Sequence, residues 1–227
     1  MRSKGMRLAV AESCTGGLIG HRLTNVPGSS TYYMGSITAY SYEAKVRLLG
    51  VKWPTLEEYG AVSPATVGEM ALGVRRTMAA DVGLSVSGIA GPGGGTEEKP
   101  VGMVVFGLST IKGVNTTTKV FEGDRIAVKE QTAEFALNYL INNIEERLLV
   151  KIEVVTKPGP DKSIVPVSFI WNQQRMIVTD IGRNWEDGGK HNFLVKAGPF
   201  ENTYELQYDI ADKSWLMIKA IEKIKRV

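Results

Sequence analysis

Arg7-Leu8-Ala9-Val10-Ala11-Glu12-Ser13-Cys14-Thr15-Gly16-Gly17 is the stretch on which the fold turns. Arg7–Ala11 has the apolar content of a buried strand, and it runs without a linker into hydroxyls, glycines and a helical stretch over Thr15–Asn25. Pro27-Gly28 closes that helix. A strand feeding straight into a helix opens the alternation of an α/β layered domain.

The alternation continues outward. Gly35–Tyr40 reads as a strand, and Tyr42–Leu49 as a helix with Ser41 placed to cap it. Thr55-Leu56-Glu57-Glu58 is a capping-box sequence that predicts a short helix starting there. Ser63 and Pro64 open a further helix in which Val67, Met70, Ala71, Val74 and Met78 recur at helical spacing. Val82, Leu84 and Val86 alternate as a strand that ends in Gly88-Ile89-Ala90-Gly91-Pro92-Gly93-Gly94-Gly95. Strands are expected at Val101–Leu108 and Thr116–Phe121. Asp124 then caps a long helix with a predicted buried stripe of Ile126, Ala133, Leu137, Leu140, Ile144 and Leu148.

The pattern changes near residue 150. Lys157-Pro158-Gly159-Pro160-Asp161-Lys162 has the composition of a linker, and no helical periodicity follows it. Val165–Trp171, Met176–Ile181, Asn192–Lys196, Thr203–Tyr208 and Trp215–Ile221 read as short strands. Trp171, Trp185 and Trp215 are expected in the core of this small sheet rather than on a base-stacking platform. The chain thus divides into a three-layer α/β/α domain with a mixed, mostly parallel sheet over residues 1–150, and a small antiparallel β domain over 160–227.

Composition narrows the function. In 227 residues, 43% hydrophobic and 22% charged, there is ample material for a core. The net charge of +3 divides into +1 before residue 150 and +2 after it, so neither part has the basic face that nucleic-acid binding requires. The lone cysteine, Cys14, excludes an internal disulfide, and no run is apolar enough for a signal peptide or membrane span. A cytoplasmic protein is expected. The two histidines, His21 and His191, lie in different domains, which argues against a Ser–His–Asp triad or a histidine-rich metal site. Walker A and Gly-x-Ser-x-Gly motifs are absent from the sequence.

Three clusters carry candidate chemistry. Glu12–Gly17 joins a strand to a helix N-terminus, a place for a phosphate or a developing oxyanion, and equally for an ordinary helix start. In Tyr40-Ser41-Tyr42-Glu43-Ala44-Lys45, a lysine with a lowered pKa could serve as a base; a lysine one turn into a helix is more often a solvated surface residue. The glycine run beginning at Ser87 sits at the C-terminal end of a strand, where α/β sheets bind ligands.

Taken in order, Ala11-Glu12-Ser13-Cys14-Thr15-Gly16-Gly17, Pro27-Gly28-Ser29-Ser30, Tyr40-Ser41 with Lys45, Gly60-Ala61-Val62-Ser63, Ser87-Gly88-Ile89-Ala90-Gly91-Pro92, Lys99-Pro100-Val101-Gly102 and Gly123-Asp124-Arg125 closely resemble the C-terminal domain of CinA-type competence-damage proteins. This is the nicotinamide-nucleotide amidase family, and the resemblance covers about residues 6–148. It implies hydrolysis of nicotinamide mononucleotide, a small-molecule partner, to nicotinate mononucleotide and ammonia, without metal or organic cofactor. It makes Ser13 the nucleophile, with Lys45 and Tyr40 activating it. Thr15, Gly16, Gly17, Ser29, Ser30, Ser87, Gly88, Gly91, Gly93 and Arg125 become the substrate-binding set. The family usually carries a helix before the first strand, where only Met1–Met6 stand here, and a large N-terminal partner domain whose pyrophosphatase-type activity is not expected of this chain. Neither membrane nor nucleic-acid partners are expected, and a homo-oligomer stays open. Two alternatives also stay open: a non-catalytic interaction protein linked to competence or DNA repair, and an amidase for another nucleotide.

Overall fold

The structure, a computed structural model, describes residues 5–144, 150–159, 163–171 and 173–221. It divides into two compact units, residues 1–146 and 147–227.

The first unit is built on a five-stranded sheet of order β2-β1-β3-β4-β5, with β1 Leu8–Glu12, β2 Tyr33–Thr38, β3 Val82–Gly88, β4 Met103–Thr110 and β5 Gly113–Val120. Strand β1 pairs in parallel with β2 and β3, whereas β3–β4 and β4–β5 are antiparallel. The sheet is therefore mixed, and four of its five strands point the same way. Helices α2 (Tyr42–Leu49), α3 (Trp53–Tyr59) and α4 (Pro64–Thr77) lie on one side, and α1 (Leu18–Thr24) and α5 (Arg125–Ile144) on the other. No helix among the described residues is long and apolar enough to cross a membrane.

Strand parity assigns the faces, because successive side chains point to opposite sides of a sheet. On β1, Ala9 and Ala11 pack with Leu49, Met70 and Val74 on the α2/α4 side. Extending that alternation puts Ser13 on the same side and Glu12 on the α1 side. On β3, Ser85 Oγ donates to the Val67 carbonyl of α4 at 2.6 Å, which sets the parity there.

Several local readings shift by a turn. Helix α1 starts at Leu18 rather than Thr15, because Gly16 and Gly17 take left-handed φ values of 64° and 101°. Helix α3 starts at Trp53, with Thr55 inside it instead of capping it. Its start is capped from a distance: Glu69 of α4 accepts from the Lys52 N–H at 2.9 Å and from Thr55 Oγ1 at 3.1 Å. On α5, Ala133, Leu140 and Ile144 are buried, but Leu137 is half-buried and Ile126 is 65% exposed. The buried face passes instead through Val128, Thr132 and Ala136, one position round the helix from the expected stripe. Leu148 lies outside the described residues.

The second unit is a seven-stranded antiparallel sheet of order β6-β12-β11-β10-β9-β8-β7, formed by β6 (Val150–Lys151), β7 (Val154–Pro158), β8 (Ile164–Trp171), β9 (Gln174–Asp187), β10 (Lys190–Ala197), β11 (Asn202–Asp209) and β12 (Ser214–Ile221). Lys157 and Pro158, read as linker, end β7, and Pro158 pairs with Ile164 across a hairpin. Proline, glycine and aspartate serve tight turns as readily as linkers, so composition alone does not separate the two. Trp171 and Trp215 are buried, whereas Trp185 is half-buried beneath Arg183, 5.1 Å from its ring.

Helix α2 can seat its lysine only because α4 lets it approach. A Cβ on Gly73 would stand 1.8 Å from the Leu49 carbonyl oxygen. Alanine normally stabilises a helix interior by up to about 1 kcal/mol over glycine. At this contact the sign reverses: Gly73→Ala is expected to lose about 1–3 kcal/mol through overpacking, read as a fall of several degrees in Tm.

Candidate active site

Ser13 follows β1 directly and is held there by its N–H, which donates to the Val86 carbonyl at 3.1 Å. Across from it stands Lys45 on α2, only 1% exposed. Its helix is set by Ser41, whose hydroxyl accepts from the Ala44 N–H. Lys45 Nζ lies 3.1 Å from Ser13 Oγ, 2.8 Å from the Ala39 carbonyl and 3.2 Å from the Tyr40 carbonyl. The Ala39 N–H donates to the Glu12 carbonyl at 2.8 Å, so the segment that supplies both carbonyls is tied to the strand that supplies the serine.

Burial lowers the Lys45 pKa from 10.5 to about 8, because the ammonium has lost its water shell. A neutral amine in this place has two N–H bonds to give to the two carbonyls, and its lone pair is then left facing Ser13 Oγ. That is the geometry of a general base and its nucleophile. The neighbouring Cys14 is no rival, since burial pushes its thiol up to about 11 and keeps it protonated at neutral pH.

Glu12 was not among the expected site residues, yet it organises the turn. Fully buried, its carboxylate accepts from Thr15 Oγ1 at 2.7 Å, from the N–H groups of Gly17 (3.0 Å), Ile19 (3.0 Å) and Gly20 (2.9 Å), and from Ser36 Oγ at 3.1 Å. Ser36 in turn bonds to the Tyr33 hydroxyl. Gly20 has to lack a side chain, for a Cβ there would stand 2.5 Å from Tyr33 Oη. The sequence signal was an acidic residue ending an otherwise apolar strand immediately before a helix.

This network corrects one expectation. The Thr15 hydroxyl and the Gly17 N–H, read as groups for a ligand, are taken by Glu12, and the Gly16 N–H donates to the Ser13 carbonyl at 3.1 Å. A second correction concerns Ser29 and Ser30. They form a 3-10 turn ahead of β2, and Leu8 pairs with Tyr33, so they lie beyond the N-terminal ends of the parallel strands. Ser13 is past the C-terminal ends, about 15 Å away at ~3.3 Å per strand residue. The chain does not bring them to Ser13.

Other expected residues do gather at the C-terminal ends. Tyr40 meets Lys45 through its carbonyl, while its exposed phenol oxygen accepts from Arg125 Nη2 at 3.1 Å. Arg125 Nη1 donates to the Gly91 carbonyl at 2.8 Å, which joins α5 to the glycine run. Ser87 is buried on the face of β3 set by Ser85. Gly88 and Gly91 have packing reasons to be glycine: a Cβ would stand 2.6 Å from Val104 and 2.6 Å from Val101, respectively. Gly93 meets nothing within 4 Å. Among the described residues no group of three or more side chains could hold a metal ion.

Residues 1–144 match the CinA C-terminal domain family. A putative competence-damage inducible protein of Halothermothrix orenii is 53% identical over 141 residues, which is 62% of this chain and 34% of that protein. The chain thus spans about a third of the length of the first curated relatives it matches. A nicotinamide-nucleotide amidohydrolase PncC of Enterobacter agglomerans is 52% identical over 138 residues, 60% of this chain and 84% of the relative. The crystal structure of a competence damage-inducible protein A from Klebsiella pneumoniae superposes with a TM-score of 0.62 at 34% identity, covering 64% of this chain and 90% of that one.

The Glu12 network makes a stability prediction. Glu12→Ala strands three backbone donors and two hydroxyls at ~1 kcal/mol or more each, and is expected to lower Tm by roughly 10–20 °C. Glu12→Gln keeps one acceptor oxygen and should fall between that variant and wild type in the same thermal melt.

Proposed function

The chain belongs to the CinA C-terminal domain family, and from that membership and the Ser13–Lys45 geometry we propose that it hydrolyses the carboxamide of a nicotinamide nucleotide. The observation that carries the reading is the buried lysine 3.1 Å from a buried serine, with its other hydrogen bonds committed to two carbonyls. The name of the Enterobacter agglomerans relative supplies the substrate class, a nicotinamide nucleotide.

In the proposed reaction the Ser13 Oγ–H gives its proton to Lys45 Nζ as Oγ bonds to the carboxamide carbon. The ammonium so formed stands beside the developing negative charge. It returns the proton to the departing nitrogen, the C–N bond breaks, and ammonia leaves. Water then attacks the ester carbon, gives a proton to Lys45, and the C–Oγ bond breaks with that proton returning to Ser13. Each step uses the same donor and acceptor atoms, and the products are the acid and ammonia. Tyr40 positions Lys45 through its carbonyl and Arg125 through its phenol, while Ser87 and the glycine run border the substrate.

Many relatives carry competence-damage names. A scaffold without chemistry would leave the buried lysine unexplained, since burying an ammonium against one hydroxyl and two carbonyls is unfavourable. The second unit, residues 147–227, is proposed to be a separate module not used in the reaction.

Ser13→Ala is expected to reduce ammonia release from nicotinamide mononucleotide by ~10³-fold or more while Tm changes little. Full activity in this variant would end the serine mechanism. The active form of Lys45 is the neutral amine, so kcat/KM should rise with pH through about 8 and level off above it. A rate still climbing through pH 10 would show an ordinary lysine. Lys45→Arg should be inactive across that range, because guanidinium does not deprotonate.

A chain ended at residue 146 is expected to retain solubility and the wild-type kcat in the same assay. An aggregated or inactive product would mean that the two units depend on each other.

A further inference from the structure

A nucleotide brings a phosphate as well as an amide, and the usual place for it beside Ser13 is closed. The N-terminus of α1 already holds an anion, the Glu12 carboxylate, which takes the Gly17, Ile19 and Gly20 amides. Positive charge near the turn must come from elsewhere.

It comes from α5. Arg125 is the first residue of that helix and Lys129 lies one turn on, so both project from one face. Arg125 reaches Tyr40 and the glycine run. Lys129 reaches the turn after β1, with its Nζ 3.9 Å from where a Cβ on Gly16 would stand. Among the described residues neither side chain is paired with a carboxylate, and both acceptors of Arg125 are neutral oxygens.

The placement is electrostatically unfavourable on two counts. Cations in the first turns of a helix oppose its dipole, and like charges four residues apart repel. Elsewhere in this unit Arg22 pairs with Glu134 of α5 itself and Lys52 with Glu69, while Lys99 rests on the Tyr59 carbonyl. Two cations at the N-terminal end of one helix, one reaching the turn after β1 and one the glycine run, go against both preferences, and such departures concentrate at ligand sites. A dianion between them would relieve both penalties.

We propose that Arg125 and Lys129 form the subsite for the substrate's phosphate monoester, with Lys129 its principal point charge. The inference rests on the reading that this site takes a nucleotide. It also gives the site a direction: the carboxamide lies at Ser13 and Lys45, and the ribose phosphate lies toward α5.

Among the described residues Lys129 makes no hydrogen bond or ion pair, which makes it the cleaner probe. Lys129→Gln is expected to lower the ratio of kcat/KM for nicotinamide mononucleotide over nicotinamide riboside by roughly ten-fold, mainly through KM, with Lys129→Arg restoring it. An unchanged ratio overturns the subsite. Calorimetric binding of ribose 5-phosphate, which has no amide, keeps this test apart from that of the amidase. Wild type should bind it more tightly than ribose, and Lys129→Gln should weaken it roughly ten-fold. Equal binding by both proteins, or none by wild type, overturns the subsite whatever becomes of the amide chemistry. Binding lost in Lys129→Gln without any amide turnover in wild type supports the subsite and removes the amidase reading.

Discussion

The buried carboxylate of Glu12 is the constraint on which the rest of the first unit depends. A charge without solvent contact is tolerated only where donors surround it, and here five converge from the β1–α1 turn, helix α1 and strand β2. These bonds fix the path of the chain immediately after β1. Ser13 therefore emerges at one height and on one face, and the segment leading to Lys45 is joined to the same strand through the Ala39–Glu12 bond. Gly16, Gly17 and Gly20 are there to let the backbone close around the carboxylate.

Lys45 is the counterpart of this arrangement on the other face of the sheet. Its burial removes the water that would keep it charged, and the two carbonyls that replace that water accept hydrogen bonds without supplying negative charge. The same loss of solvation that lowers the pKa of the lysine raises that of Cys14 next to Ser13. One environment thus acts in opposite directions on a basic and an acidic group, and it leaves the serine hydroxyl 3.1 Å from a lysine amine that gives up its proton readily. The close approach of α2 to α4 at Gly73 is what admits Lys45 to that environment.

Charge is distributed between the two ends of the site accordingly. The anion that a helix N-terminus ordinarily attracts is internal, and the cations Arg125 and Lys129 stand on α5, where Arg125 also ties Tyr40 to the glycine run. The second unit has its own aromatic core, with Phe169 against Tyr204 and Phe193 against Trp215.

The sequence by itself determined the alternation of strands and helices before residue 150 and the strands after it, because periods of 3.6 and 2 are written directly in apolar spacing. It also determined two helix starts, at Ser41 and Ser63, where the cap bonds a group three residues away. Ser13 and Lys45 were named from ordered motifs, but nothing local distinguished Lys45 from a surface lysine. Only the tertiary structure decided that it is buried, that Glu12 rather than a ligand holds the α1 amides, and that Ser29 and Ser30 stand at the far end of the sheet. The cap of α3 by Glu69 and the reach of Lys129 to the turn at Gly16 belong to the same class. Each depends on which strand end, helix face or distant side chain arrives at a point, and the direction of a parallel strand or the burial of an amine is a property of packing between segments far apart in the chain.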